Sequence, residues 1–220
     1  YQFWAGDMNG DDIMDILDII ILVNIILDDY LIRTEFVQEA NIFVSSNEVS
    51  ITGDGDIAGI QLEYSGDVQS IKSTLPDGWS IYYNENTILI FTTSELILTN
   101  QKLFNFEGNI QINSNIVVGF DINPINAKII TVPDNFKLYT NYPNPFNPIT
   151  NIRYALPYRT TVNISIFDIQ GREIVSLLNE VKDPGEHQVR WNGDSFQSGV
   201  YFVRIQTEFN IQTQKIVLLK

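Results

Sequence analysis

The feature that most constrains this chain is a succession of short β-branched and aromatic runs flanked by turn residues. Between residues 57 and 122 these runs are IAGIQLEY, WSIYY, TILIFTT, LFNFEGNIQI and IVVGFDI. Runs of this length and composition are typical of strands, and GDGD, LPDG, NEN and INSN beside them supply turn residues. Because no helical pattern separates the runs, the sequence predicts an antiparallel β-sandwich over residues 35–132.

A second set of strand-like runs fills residues 133–220. After VPDNFKLY, the segment Asn141–Pro148 reads NYPNPFNP, and its three X-Pro bonds favour an extended loop that wraps a surface rather than joining a ladder. In VNISI, apolar and polar residues alternate as in a half-buried strand. The runs are TNIRYALP, TTVNISIFDIQ, GREIVSLL, GEHQVRWNG, GVYFVRIQT and QTQKIVLLK. They predict a second small sandwich, so the fold class is mainly β with two antiparallel, Ig-like sandwiches.

Composition and charge exclude several kinds of site. The chain has no cysteine and one histidine, so disulfides, thiolate metal sites, a zinc site and a Ser-His-Asp triad are not expected. The net charge of -14 is uneven, because residues 1–132 carry 4 basic and 19 acidic side chains whereas residues 133–220 carry 9 and 8. An acidic front half repels nucleic acid and anionic membranes, and it attracts divalent cations.

Residues 1–30 are predicted to form a loop followed by a helix. The segment GDMNGDDIMDILD precedes the apolar run from Ile16 to Leu27, which has helical spacing. If Asp7 is position 1 of a twelve-residue loop, side chains that carry oxygen atoms occupy positions 1, 3, 5, 9 and 12. The backbone carbonyl of position 7 adds one more oxygen ligand. The predicted calcium ligands are Asp7, Asn9, Asp11, Ile13, Asp15 and Asp18.

The same segment resembles one repeat of a type I dockerin, whose loop ends in Asp and runs directly into a helix. Dockerins carry two repeats, and only one is found here. Position 6 is Asp12, where glycine is usual because the turn needs a positive φ; Asp tolerates that conformation at a cost of roughly 1 kcal/mol. We therefore expect weak calcium binding, and the alternative is an acidic N-cap turn without an ion. The helix is expected to need partners on several sides, in the same chain or elsewhere.

No apolar run reaches the ~18–20 residues of a membrane-spanning helix. The chain begins at Tyr1 and shows no basic stretch followed by an apolar core and a cleavage site. We expect either that a signal peptide has been removed or that the chain is part of a longer protein.

The C-terminal third resembles the type A C-terminal sorting domain of the type IX secretion system. The resemblance spans Phe136 to Lys220 and rests on PNPFNP, FDIQG, WNG, SGVYF and the terminal KIVLLK, in that order. It implies a small Ig-like sandwich that directs a bacterial protein to an outer-membrane translocon, with a sortase-like peptidase removing the domain as the protein is released or attached to the surface. It also implies that Lys215–Lys220 is the most exposed segment. The alternative is an ordinary Ig-like domain.

The middle segment resembles a cohesin-like or carbohydrate-binding-like sandwich through IAGIQLEY and the following GW segment. Trp79 and Tyr82 are candidate glycan-binding residues, with Tyr83 beside them. Because neighbours on a strand point to opposite faces, one tyrosine is expected in the core. A core or edge role for the group is the alternative, and an extracellular carbohydrate-binding or protein-docking module is the alternative function.

No catalytic frame is found. His187 follows a DPGE turn and begins a strand, and it is expected to be a solvated turn residue rather than a catalytic base. Asp54 and Asp56 in GDGD could bind a cation, but the favoured expectation for them is an exposed hairpin turn. There is no GxSxG, phosphate loop or recognisable carboxylate pair, so a hydrolase in the middle segment has no support in the spacing. We expect a non-enzymatic secreted or surface protein with three modules, 1–30, 35–132 and 133–220, whose partners are the translocon, the peptidase, and a protein or polysaccharide.

Overall fold

The computed structural model describes residues 6–26, 37–94 and 97–220, and it divides into two compact units, Tyr1–Ile130 and Thr131–Lys220. Parts of the predicted modules 1–30 and 35–132, and Leu27 at the predicted helix end, lie outside the described residues. Within the described ranges, no helix has the length and apolar character needed to cross a membrane.

The first unit is a helix followed by an antiparallel β structure. Its described elements are α1 (Ile16–Ile26), β1 (Ala40–Val44), β2 (Glu48–Ser65), β3 (Val68–Ser73), β4 (Trp79–Tyr83), β5 (Thr87–Thr92), β6 (Leu98–Gly108), β7 (Gln111–Gly119), β8 (Pro124–Ile125) and β9 (Lys128–Thr131). The predicted run LFNFEGNIQI is divided between β6 and β7, because the chain turns at Gly108, whose φ is 101°.

The long strand β2 organises the first unit. Its N-terminal half pairs with β1 and β6, and its C-terminal half pairs with β5 and β7. The change of partners occurs at GDGD, where the register with β6 shifts between Thr52 and Ile57. The prediction of an exposed hairpin turn at Asp54 and Asp56 is therefore wrong: glycines within a strand form an irregularity that lets one strand serve two sets of neighbours.

The helix α1 covers the face of β2, β5 and β7 that lies opposite the main core. Leu89 and Val118 pack against the helix, whereas their neighbours Ile88, Ile90 and Val117 belong to the main core. This division follows from the alternation of side chains along a strand. The helix therefore seals a second, smaller apolar layer in the first unit.

A glycine lets the helix approach β2 closely. A Cβ at Gly59 would lie 2.8 Å from Ile16 and 3.1 Å from Ile20, both of which are fully buried. The helix backbone is also anchored, because Ile16 N donates to Gln61 Oε1 at 3.1 Å. The opposite side of the helix, including Ile25, is exposed, so α1 packs on one side only among the described residues.

The second unit is a two-sheet sandwich. Its strands are β10 (Lys137–Leu138), β11 (Ile149–Leu156), β12 (Thr160–Phe167), β13 (Glu173–Lys182), β14 (Gly185–Asn192), β15 (Gly199–Gln206) and β16 (Ile211–Leu218). One sheet has the order β10-β11-β14 and the other β13-β12-β15-β16. Each predicted run from TNIRYALP onward corresponds to one strand. The predicted fold class, mainly β with antiparallel sandwich-like sheets, is confirmed.

The core of the second unit lies between its two sheets. Val162, Ile164 and Ile166 of β12 are fully buried, as the alternation in VNISI predicts. They meet Ile152 of β11 and Trp191 of β14 from the facing sheet. Phe146 joins this core from the NYPNPFNP loop rather than from a strand, so the loop is part of the packing of the domain.

Candidate functional sites

The acidic loop at Asp7–Asp18 is organised by hydrogen bonds from its own backbone. Asp7 Oδ1 accepts a bond from Gly10 N at 2.7 Å, and Asp7 Oδ2 accepts one from Asp12 N at 3.1 Å. Asp12 has a φ of 66°, so the position at which glycine is usual takes the left-handed conformation, as the sequence predicts. The loop thus has the tight turn that the twelve-residue register requires.

The next oxygen-bearing side chains form a ladder of short-range bonds. Asn9 Oδ1 accepts from Asp11 N at 3.0 Å, Asp11 Oδ1 from Ile13 N at 2.8 Å, and Asp15 Oδ1 from Leu17 N at 2.8 Å. Each is the bond of an Asx turn, which fixes the backbone two residues further on.

Asp18 ties the loop to the first turn of α1. It is 4% exposed, and its Oδ1 accepts from Met8 N at 2.6 Å while its Oδ2 accepts from Asp15 N at 2.9 Å. Burial raises the pKa of the neighbouring Asp15 carboxyl, and the charges of Asp18 and Asp11 add to this effect, although a bond from Leu17 N opposes it. The Asp18 side chain, at position 12 of the predicted calcium loop, therefore contacts the backbone of Met8, at position 2.

The donor set of this loop fits a hard cation, because every predicted ligand atom is an oxygen. However, the carboxylates are directed at backbone N–H groups, and Asn9 Nδ2 also donates to Asp11 Oδ2 at 2.9 Å. Within the described part of the chain, no three acidic or histidine side chains converge closely enough to hold a metal ion. The structure brings the six predicted residues into one loop but does not direct their oxygens to one point.

The predicted glycan platform is not assembled. Trp79 is 9% exposed and belongs to the main core, so its indole face is not available to a sugar ring. Tyr82 and Tyr83 are 62% and 53% exposed, so the expectation that one of them is a core residue is wrong. Among the described strands, β4 pairs with β5 alone, so it is an edge strand. Tyr82 stacks on Phe91 with ring centres 5.8 Å apart.

In the second unit, the loop NYPNPFNP folds around a buried amide. Asn141 is 1% exposed, and its Nδ2 donates to Pro143 O at 3.1 Å and to Thr150 Oγ1 at 2.8 Å. Thr150 Oγ1 donates to the same Pro143 carbonyl at 2.8 Å. These bonds fix the start of the loop against the first residues of β11.

The end of the same loop closes the outer edge of the C-terminal strand β16. Asn144 Oδ1 accepts from Val217 N at 3.0 Å, Phe146 N donates to Val217 O at 2.9 Å, and Phe146 O accepts from Leu219 N at 2.9 Å. We call this set of bonds between Asn144–Phe146 and Val217–Leu219 the clasp. Because an edge strand otherwise leaves its N–H and C=O groups unpaired, the clasp protects the last strand of the domain.

Aromatic packing holds the clasp from the inside. Phe146 is 2% exposed and lies 5.1 Å from Trp191 between ring centres, and Trp191 in turn lies 5.4 Å from Tyr201. Gly193, in the WNG block, allows this approach, because a Cβ there would lie 3.0 Å from Leu218 and 3.3 Å from Phe146. Four of the sequence blocks that carry the family resemblance, PNPFNP, WNG, SGVYF and KIVLLK, therefore meet at one place.

The C-terminal segment Lys215–Lys220 is not uniformly exposed, which corrects the expectation for it. Ile216 and Leu218 are fully buried, whereas Leu219 is 52% exposed. Lys220 N donates to Ser198 Oγ at 3.0 Å, and Lys220 Nζ donates to the Asp194 carbonyl. The alternation of β16 buries every second side chain, so only one face of the segment is accessible.

The FDIQG block forms a turn built on Asp168. Asp168 Oδ1 accepts from Gln170 N at 2.9 Å and Arg172 N at 3.0 Å, while Oδ2 accepts from Arg172 Nε at 2.7 Å. Desolvation raises the pKa of Asp168, but the bonds from Arg172 and Gln170 together outweigh it, so the pKa lies below its ordinary value. Gly171 has a φ of 78°, which explains the glycine at this position.

The remaining candidates show no catalytic arrangement. His187 stacks on Tyr154 with ring centres 5.3 Å apart, and its Nε2 lies 2.8 Å from the Asp183 carbonyl oxygen. Burial raises the pKa of the Tyr154 hydroxyl to about 12. In the first unit, backbone bonds from Glu39 and Gln38 lower the pKa of Asp54. These groups have structural partners.

Sequence reasoning missed Asn144 and Ser198, which hold the C-terminal strand. The partners of these residues lie 73 and 22 positions away, and short-range patterns carry no signal for such contacts. The repeated Asn-Pro spacing was the one available sign that Asn144 has a specific role.

Comparisons with solved structures find tandem domains of titin and extracellular domains of a Drosophila protein. The titin Ig tandem domains share 8% identity, with 84% of this chain and 96% of that chain covered and a TM-score of 0.31. Drosophila OTK extracellular domains 3–5 share 14% identity, with 84% and 61% covered and a TM-score of 0.22. A chimeric titin tandem shares 13% identity, with 84% and 97% covered and a TM-score of 0.21. At these TM-scores the likeness carries no argument.

The comparison with curated proteins finds no match. A family model, the secretion system C-terminal sorting domain, matches residues 140–219. The match begins one residue before Asn141 and ends at Leu219, so it includes both sides of the clasp. Residues 140–219 of the second unit therefore match a C-terminal sorting domain of the type IX secretion system, and such a domain implies a secreted or cell-surface bacterial protein.

Proposed function

We propose that the folded second unit, residues 131–220, is an export address that the type IX translocon recognises by shape and edge contacts. The observation that carries this proposal is the clasp, which fixes the C-terminal strand in a single register on a packed sandwich. A translocon would then meet an ordered surface, in which Leu219 and Lys215 are exposed while Ile216 and Leu218 are buried. The first unit would travel with this address as cargo.

A fusion experiment tests the proposal. Residues 131–220 are fused to the C-terminus of a reporter that is normally retained in the periplasm, in a host with type IX secretion. The matched control is the same reporter carrying residues 6–130 instead. We expect the first fusion to appear outside the cell and the second to remain in the periplasm. Retention of both fusions would contradict the proposal.

We further propose that a sortase-like peptidase removes the address during export and that the remaining protein is released or attached to the cell surface. The boundary between the compact units falls near residue 131, and residues 132–135, which follow β9, are in no strand or helix, so this exposed kind of connection is a suitable place for cleavage. The mass of the exported reporter tests this: the tag is lost if cleavage occurs, and an intact fusion outside the cell would contradict cleavage without contradicting export.

The acidic loop is proposed to bind calcium as a structural ion in the first unit. The left-handed turn at Asp12 and the return of Asp18 to the start of the loop favour this proposal, because both are features that a twelve-residue calcium loop needs. The residues that would hold the ion are Asp7, Asn9, Asp11, Asp15, Asp18 and the carbonyl of Ile13. Filling the site requires their oxygens to turn from backbone N–H groups to the ion. We expect a dissociation constant in the range of about 10⁻⁵–10⁻³ M.

Thermal melts of the full chain with calcium and with a chelator test this site. We expect calcium to raise the melting temperature of the first unit, because an ion that binds only the folded state stabilises it. Asp7→Ala should abolish the difference, while Asp77→Ala, an exposed carboxylate outside the loop, should retain it. Equal melts for the wild-type chain in calcium and in chelator would rule out the proposed ion.

A further inference from the structure

A polar groove lies on the second unit, outside the clasp. It is lined by Thr161, Asn163, Gln206, Thr207 and Glu208, and its volume is about 400 Å³. Asn163 of β12 and Gln206 of β15 are directly paired across the two strands. Their neighbours Val162, Ile164 and Ile205 are fully buried in the sandwich, so Asn163 and Gln206 point away from the core. The groove is therefore on the outer face of the four-stranded sheet.

The polar groups of the groove are largely unengaged within the described protein. The side chains of Thr161, Gln206 and Glu208 are exposed and make no hydrogen bond to the described residues. Asn163 accepts one bond through Oδ1 from Ser165 Oγ at 3.1 Å, and its Nδ2 has no partner there. The groove thus offers amide and hydroxyl donors together with amide, hydroxyl and carboxylate acceptors.

Two contacts give the groove a fixed shape. Ser165 is 2% exposed, so its bond to Asn163 Oδ1 orients that amide from a buried position and turns Nδ2 toward the groove. At the other end, Thr207 is 7% exposed, its N donates to Asn210 O at 2.8 Å, and its Oγ1 accepts from Asn210 N at 3.0 Å. This tight turn holds Glu208 at the rim.

The residue that follows Glu208 is an exposed aromatic residue. Phe209, next to Glu208 in the turn between β15 and β16, is 71% exposed. Its ring makes a T-shaped contact with the ring of Tyr158, with 5.9 Å between ring centres, and the Tyr158 hydroxyl in turn accepts from Asn210 Nδ2 at 2.8 Å. An exposed aromatic ring has a flat apolar face that a ligand can stack on.

We propose that this groove, together with the neighbouring residue Phe209, binds a neutral carbohydrate. Sugar hydroxyls both donate and accept, which matches the mixed amide and hydroxyl lining, and the apolar face of a pyranose ring can stack on Phe209. The five lining residues include no cation and one carboxylate, Glu208, so they disfavour phosphate and acidic sugars. They include no large apolar side chain either, which disfavours a lipid chain. This site is distinct from the predicted Trp79 and Tyr82 platform.

Nuclear magnetic resonance of the ¹⁵N-labelled full chain tests the proposal. The chain is titrated with neutral oligosaccharides of glucose, mannose, galactose and N-acetylglucosamine. We expect at least one of them to shift the backbone amide signals of residues 161–163 and 206–209, with millimolar affinity because the groove is open. Signals of β11 and β14, in the other sheet, should stay in place. No shift with any of the sugars, or shifts confined to other regions, would overturn the proposal.

Matched variants separate the groove from general effects. Gln206→Ala should weaken binding about tenfold, which corresponds to about 1.4 kcal/mol, and Phe209→Ala should weaken it as well. Gln188→Ala removes an amide from the other sheet and should leave the affinity unchanged; an equal loss in Gln188→Ala and Gln206→Ala would contradict the site.

A charged sugar tests the assigned chemical class. An oligosaccharide of glucuronate should bind more weakly than its neutral glucose counterpart, and Glu208→Gln should reduce that difference. Tighter binding of the acidic sugar would overturn the assignment to neutral carbohydrate. The titrations do not involve export, so their result is independent of the reporter experiment.

Discussion

Phe146 connects the NYPNPFNP loop to the core of the second unit. It is 2% exposed, packs on Trp191, and pairs through its backbone with Val217 and Leu219. We predict that Phe146→Ala lowers the free energy of unfolding of the second unit by about 3–5 kcal/mol, because it leaves a cavity beside Trp191. Urea unfolding of the full chain, with hydrogen exchange of peptides from residues 131–220, measures the change.

Tyr142 is the matched control in the same loop, since it is 79% exposed. Tyr142→Ala should change the free energy of unfolding by no more than about 0.5 kcal/mol. If both variants destabilised the second unit equally, Phe146 would not have the anchoring role assigned to it.

Asp168 makes the second unit sensitive to acid. Its pKa is lowered in the folded state: desolvation raises it, but the bonds from Arg172 and Gln170 outweigh that effect. A carboxyl whose pKa is lower in the folded than in the unfolded state stabilises the fold above its unfolded pKa, and this contribution is lost as the pH falls through the folded pKa. We predict that Asp168→Asn is less stable than the wild-type chain at neutral pH and that the difference shrinks as the pH falls below about 4.

The measurement is the urea midpoint of the second unit as a function of pH for both chains. Arg172→Gln, which removes the charged partner, should give a loss of the same sign at neutral pH. A constant difference between Asp168→Asn and the wild-type chain from neutral to acidic pH would contradict this role of Asp168.

At the scale of elements, α1 depends on one apolar side. Ile20 is fully buried on Gly59, whereas Ile25 on the same helix is 59% exposed. We predict that Ile20→Ala destabilises the first unit by about 2–5 kcal/mol and that Ile25→Ala has an effect of at most about 0.5 kcal/mol. Thermal melting of the full chain compares the two. Equal effects would show that a partner covers the Ile25 side in solution.

The strand pattern could be predicted from the sequence because the runs in residues 149–220 are short and rich in β-branched residues, and most of them begin or end at a glycine or a proline. The first unit is harder to predict, because Gly53 and Gly55 suggest a turn locally, whereas the strand β2 continues through them and changes its pairing partners there. The prediction that Tyr82 or Tyr83 is a core residue is wrong because strand alternation places neighbouring side chains on opposite faces but does not indicate whether either face is covered.

The sites show the same division between local and long-range information. The acidic loop could be predicted, since its hydrogen bonds join residues at most ten positions apart. In addition, its residue Asp12 needs a particular backbone conformation, which the loop register indicates. The clasp could not be predicted, because Asn144 and Val217 are 73 positions apart and meet only once both sheets have formed. Ile216 and Leu218 of the last strand are buried because they face the core of the sandwich.

At the scale of the whole molecule, the two units differ in charge as they do in fold. The acidic residues are concentrated before residue 133, and the segment from residue 133 onward is close to neutral. An acidic loop can bind cations and keep the first unit soluble. A nearly neutral sandwich with an ordered C-terminal strand suits recognition by a protein partner. This division agrees with a cargo unit followed by an address unit.

The most direct test of the account is the fraction of a periplasmic reporter, fused to residues 131–220, that reaches the medium or the cell surface. It is measured in a host with type IX secretion and in an otherwise identical host that lacks the translocon. The account predicts that the fusion leaves the cell only in the first host and that Phe146→Ala, which loosens the clasp, reduces export more than Tyr142→Ala does. Equal retention of the wild-type fusion in both hosts would contradict it.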